Sequence, residues 1–166
     1  LLTTNGLNTW MPIATAANVA QGGAALAIAL KTRNKKLKSL ALPSSLSAFL
    51  GITEPVIFGV NLRYTKAFAA AVIGGAAGGL FVGLFHVRNY GGGSPGLMTL
   101  PGYIGGDSLR DLMFACIGAA IAFVITFILS YILYNEEPAA ADNGNKTVPG
   151  GQKEAGAAAA GSTAED

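Results

Sequence analysis

Apolar residues run along this chain in long uncharged stretches, separated by short polar or glycine-rich breaks. Residues 12–30 carry no charge. Their polar members Thr15, Asn18 and Gln21 recur at every third position, which puts them on one side of a helix. Residues 67–87 are apolar as far as His86, and residues 112–134 form another uncharged run. At 1.5 Å per residue, these last two reach about 31 and 34 Å, enough to cross the roughly 30 Å hydrocarbon core of a bilayer. The pattern predicts three transmembrane helices. The first carries a polar stripe that suits lipid poorly, so it is expected to pack against protein or to line a wet path.

Residues 40–63 interrupt the pattern. Pro43 suits the first turn of a helix, Gly51 the position just past a helix end, and Pro55 the start of a second helix. The two pieces, 43–50 and 55–62, are each about 12 Å long, less than half the hydrocarbon thickness. Neither crosses alone, but a pair can enter to near the midplane and return. Lys31, Arg33, Lys35, Lys36 and Lys38 precede this segment, and Arg63 and Lys66 follow it. Basic loops favour the cytoplasm, so both ends are expected on that side, as a re-entrant hairpin requires. The connection 88–111 sets Arg88 and Arg110 against Asp107 and Asp111, which fits the outer face, and the last helix then returns the C-terminus to the cytoplasm. The expected fold class is an all-α integral membrane protein of three spans plus a re-entrant helical hairpin over residues 1–134. The Gly- and Pro-rich stretch 89–106 receives no regular element. Residues 135–166 are rich in Ala, Gly and acid with no apolar period, and are expected to form a disordered linker or tail.

Composition agrees. Charged residues make up 12% of the 166 and hydrophobic ones 51%, against about 25% charged in a soluble domain. A net charge of +2 with no basic face argues against a nucleic-acid partner. The chain starts at Leu1 without a signal-peptide layout and reads as a fragment of something longer. A single cysteine excludes an internal disulfide framework and any CxxC motif. No catalytic constellation, metal cluster or cofactor motif is expected.

The chemistry concentrates at Gly51-Ile52-Thr53-Glu54-Pro55. Broken helices at membrane depth persist where protein or a ligand uses the exposed backbone, and in transporters such breaks form substrate sites. Glu54 precedes a proline, which pushes it to the extended region and places it at the cap of the second half-helix. An ionisable residue there is a candidate site by default. The plainer alternative is that Glu54 only caps its helix or pairs with Arg63.

That string, continued by Val56-Ile57-Phe58-Gly59-Val60-Asn61-Leu62, resembles the signature of enzyme IIC, the membrane subunit of the glucose superfamily of bacterial phosphotransferase systems. Ala17-Asn18-Val19-Ala20-Gln21-Gly22 and Leu37-Lys38-Ser39-Leu40-Ala41 resemble the sucrose and β-glucoside branch. The likeness covers 1–134 and not the tail. It implies a homodimer whose interface half lies upstream, with this chain as most of the transport half. It implies a bacterial plasma-membrane location and sugar translocation coupled to phosphoenolpyruvate-dependent phosphorylation, with sucrose or another glucoside as substrate. Enzyme IIB and IIA domains would carry the phosphoryl group. The family's signature glutamate contacts the sugar, a role that falls on Glu54, with Gly51, Ile52 and Thr53 beside it. The family's sugar-contacting histidine sits in an earlier hairpin outside this chain, so its role does not pass to His86 and the chamber is expected to need upstream segments.

Other residues carry weaker signals. Asn18, Gln21 and Thr15 could bond sugar hydroxyls or neighbouring helices. Gly74, Gly75, Gly78, Gly79 and Gly83 give overlapping GxxxG spacings, which point to close helix packing rather than a phosphate loop. His86 reads as an interfacial residue. Cys116 reads as a buried small hydrophobe, not a phosphoryl acceptor. The five bases at 31–38 read as an orientation signal, with anionic lipid or a docking partner as alternatives. Two rival functions remain open: a secondary transporter or channel without phosphoryl transfer, and a non-transporting scaffold packed through its glycines.

Overall fold

The structure, a computed structural model, describes residues 8–104 and 109–134. Its α-helices are α1 (Trp10–Lys31), α2 (Lys35–Phe49), α3 (Glu54–Val56), α4 (Thr65–Leu84) and α5 (Arg110–Leu133). Helix α3 runs directly into a π-helical turn, Ile57–Asn61, and a 3-10 helix, Leu97–Tyr103, lies between α4 and α5. The expected tail, 135–166, lies outside the described residues.

Helices α1, α4 and α5 are long and apolar enough to cross a membrane, and they match the three predicted spans to within three residues at each end. They pack together because small residues let their backbones approach. On α4, Gly75 and Gly79 lie against Ala17 and Ile13 of α1, while Gly74 and Gly78 lie against Thr126 and Ala122 of α5. On α5, Gly118 receives Val82 of α4. The glycine spacing therefore means close packing, as expected, except that Gly83 has open space around it. Helix α4 runs antiparallel to both neighbours. Helices α1 and α5 run parallel, joined by Ser130 Oγ donating to the Ala24 carbonyl at 3.2 Å and Lys31 Nζ donating to the Tyr131 carbonyl at 2.6 Å. The polar-striped α1 is the most enclosed span, 67% buried against 44% for α4 and 28% for α5. Its Thr15 is buried, and Asn18 and Gln21 are half-buried.

The segment between α1 and α4 folds as a helical hairpin, but its arms differ from the expected equal pair. The first arm is the whole of α2, so Pro43 lies inside a helix rather than in its first turn. The physical reason is Asn34, whose Oδ1 accepts the amides of Lys36 and Leu37 at 2.9 and 3.3 Å and starts the helix eight residues earlier. At 15 residues, α2 is about 22 Å long, still short of a full crossing. The second arm is only three residues of α-helix before it widens, with the Leu62 amide reaching back five residues to the Ile57 carbonyl. That turn encloses Asn61 completely, and among the described residues both side-chain amide atoms are unpartnered. The arms lie together, with Leu40 against Gly59, and the returning chain sets Tyr64 edge-on to Tyr134, ring centroids 5.4 Å apart. Both hairpin ends thus meet the end of the bundle formed by the C-termini of α1 and α5.

The 89–104 stretch departs from the expectation of no regular structure. Leu97, Leu100 and Tyr103 recur every third residue, the period at which 3-10 side chains eclipse. Tyr103 is fully buried, and it packs with Val82, Val87 and Ala115.

Candidate functional site

Helix α2 ends in a Schellman turn. The Gly51 amide donates to the Ala48 carbonyl and the Ile52 amide to the Ser47 carbonyl, each at 3.0 Å. Gly51 takes φ +100, a left-handed value at which a side chain would be strained. Ser47 Oγ donates to the Ile52 carbonyl at 2.9 Å. The tip sits beside the middle of α1: Phe49 lies over Gly22, and Ser45 Oγ donates to the Gly22 carbonyl at 2.8 Å.

After this turn, Ile52 is exposed, Thr53 half-buried and Glu54 exposed. Thr53 occupies the cap position without a side-chain bond, and Glu54 is the first helical residue, one place further on than expected. Among the described residues, the Glu54 carboxylate has no hydrogen-bond or ion-pair partner, so the capping and Arg63-pairing alternatives are not what the structure shows. A carboxylate of this kind presents acceptor oxygens only, and each can take hydroxyl donors.

The two α1 amides differ. Asn18 Nδ2 donates to the Pro95 carbonyl at 2.6 Å, and that carbonyl lies against Gly51, so Asn18 reaches the break through the α4–α5 connection. Gln21 Oε1 is enclosed and has no partner among the described residues, an unsatisfied acceptor at the same level of α1. The structure brings no hydrogen bond between Glu54 and either amide.

Sequence reasoning missed Ser94, Pro95 and Gly96. Ser94 Oγ donates to the Gly51 carbonyl at 2.9 Å. The Leu97, Leu100 and Tyr103 spacing signals the helix that follows them, but nothing in Ser-Pro-Gly marks a contact with the break. Thr15 Oγ1 lies 3.4 Å from the Tyr103 hydroxyl. Burial pushes the Tyr103 phenol above its usual pKa, so it stays protonated at this contact.

One further expectation changes. Cys116 is exposed on the flank of α5, not buried. Helix α5 is the least enclosed span, and Cys116 borders an apolar cavity of about 320 Å³ lined by Val19, Phe49, Leu97, Leu100 and Phe123. That lining offers nothing to sugar hydroxyls. His86 takes φ 50 just past the end of α4 and is exposed, with Nδ1 3.1 Å from the Leu84 carbonyl.

Comparison with known proteins follows the same residues. The family described as "Phosphotransferase system, EIIC" matches residues 3–75, which include α1 and the whole hairpin. The chain is similar to a β-glucoside-specific EIIBCA component of Bacillus subtilis, 46% identical over 134 residues, covering 80% of this chain and 21% of that protein. It is similar to sucrose-specific EIIBC components of Salmonella typhimurium and Bacillus subtilis, each 48% identical, covering 77% of this chain and 27% and 28% of those proteins. The chain thus spans about a quarter of the length of these curated relatives. No solved structure matches it. Three apolar spans, a hairpin broken at Gly51–Pro55 and these relatives together show that the chain belongs to the enzyme IIC family of phosphotransferase systems, in its sucrose and β-glucoside branch, and is a multi-pass plasma-membrane protein.

Proposed function

We propose that this chain handles the sugar in a bacterial phosphotransferase permease, carrying sucrose or a related glucoside across the plasma membrane as it is phosphorylated at the expense of phosphoenolpyruvate. The observation that carries the reading is Glu54: an exposed carboxylate without a partner among the described residues, set at a break between two helical arms that pack on an apolar bundle. Hydrogen bonds to a charged acceptor contribute about 1.5–3 kcal/mol each, a suitable strength for a neutral polyol. Gly51, Ile52 and Thr53 frame the carboxylate, and the unsatisfied Gln21 Oε1 is a further acceptor for a hydroxyl. Asn18 belongs to the same region through Pro95.

The rest of the machine lies with segments beyond this chain. The relatives' names join B, C and A components, which supports enzyme IIB and IIA domains as the phosphoryl donors. A homodimer formed through an upstream interface half completes the proposal. The lipid bilayer surrounds the spans. The basic residues at 31–38, with Arg63 and Lys66, support a cytoplasmic side for the hairpin ends and the C-terminus.

The test is radiolabelled sucrose uptake into membrane vesicles containing the intact protein. Uptake should require phosphoenolpyruvate and the soluble carriers, and Glu54→Gln should weaken sucrose binding roughly tenfold to a hundredfold. Full-rate uptake without phosphoenolpyruvate would move the protein to secondary transport. Absence of any sucrose-dependent thermal stabilisation would leave only a scaffold.

A further inference from the structure

A break in a membrane-embedded helix leaves backbone groups that water cannot reach, so something in the protein must cover them. Here the cover comes from residues 94–96. Ser94 Oγ donates to the Gly51 carbonyl at 2.9 Å. The Pro95 carbonyl rests against Gly51 and is held from the other side by Asn18 Nδ2 at 2.6 Å. Gly96 presses its backbone onto the tip so closely that a Cβ there would sit 2.6 Å from the Gly51 nitrogen and 2.8 Å from the Phe49 carbonyl oxygen. The connection is also tied down on both sides of this contact. The Asn8 and Asn89 backbones exchange two hydrogen bonds, at 2.9 and 3.0 Å, and the Tyr103 hydroxyl meets Thr15. The segment is therefore fastened to α1 while it bears on the turn that immediately precedes Glu54.

We propose that residues 94–96, clamped by Asn18, brace the Gly51–Pro55 break, and that Asn18 and Ser94 are positioning residues that set the Glu54 geometry rather than sugar ligands. The assignment rests on the sugar reading of Glu54. It follows from where the polar groups are spent: the Asn18 donor and the Ser94 hydroxyl both point at the brace and its tip. Losing either bond frees the same segment, so their effects should overlap instead of adding.

The experiment uses the intact protein in membrane vesicles with phosphoenolpyruvate and the carriers, and measures KM and kcat for sucrose alongside hydrogen exchange of the tip amides at 49–53. Ser94→Ala and Asn18→Ala should each raise KM roughly fivefold, the value of one ordinary hydrogen bond, with kcat little changed. The double variant should be no worse than about tenfold, Ser94→Thr should restore KM, and both single variants should speed exchange at the tip. Gly96→Ala should have the same signature in stronger form. Wild-type KM and wild-type exchange in Ser94→Ala and Asn18→Ala, with Glu54→Gln still impaired, would overturn the brace and leave the sugar site standing. Faster exchange with unchanged KM would reject the positioning role. An unimpaired Glu54→Gln would remove the sugar reading on which the role depends.

Discussion

The three-span bundle and the hairpin hold together by different means. In the bundle, α1, α4 and α5 meet through Gly74, Gly75, Gly78, Gly79 and Gly118, where the absence of side chains allows backbone contact. Lipid tails are as apolar as the helix surfaces, so packing of this kind is what drives association. The hairpin packs through larger apolar groups, with Leu37, Ala41, Ala48, Val56 and Val60 buried in one cluster with Ala24, Ala25 and Ile28 of α1. It adds individual hydrogen bonds: Asn34 at its start, Ser45 to Gly22, the Schellman turn at its tip, and Ser94 on the Gly51 carbonyl. Close backbone approach at glycines marks the first region, and apolar burial joined to local polar satisfaction marks the second. Only the exposed turn from Gly51 to Glu54 depends mainly on discrete bonds, and such a turn can change its arrangement at small cost, which suits the part that carries Glu54.

The contrast can be broken hardest in the bundle. A Cβ on Gly78 would sit 2.6 Å from both Ala122 Cβ and the Gly118 carbonyl oxygen, so Gly78→Val should cost up to about 3 kcal/mol in detergent unfolding. A wild-type unfolding curve would show that the seam yields. Next comes Gly51→Ala, which must hold a left-handed backbone and meet Ser94 Oγ and the Pro95 carbonyl. It should cost about 1–2 kcal/mol and slow sucrose uptake with it. Stability lost without any change in uptake would detach the tip from function. Ser45→Ala removes a single bond to α1 and should cost about 0.6 kcal/mol, the usual worth of a side-chain hydrogen bond between membrane helices. The smallest effect belongs to Gly83→Ala, since nothing lies within 4 Å of its missing side chain. It should fall within about 0.5 kcal/mol of wild type, and a large loss would place an unseen neighbour against that face.

The outline of the fold was open to reading because its causes are local. Uncharged length determined α1, α4 and α5; Gly51 and Pro55 determined where a helix stops and the next begins; the GITEP string and its flanks determined the family. Long-range partners decided the rest. Asn18 meets Pro95 across 77 residues and Ser94 meets Gly51 across 43, and no periodicity along the chain encodes either contact. The Asn34 cap that makes the hairpin arms unequal is local, whereas the π turn that encloses Asn61 and the outward-facing Cys116 emerge only when the helices pack. A helix span is written in each residue's own preference for lipid. The shape of the break depends on which distant group satisfies its backbone, and only the folded chain brings that group into place.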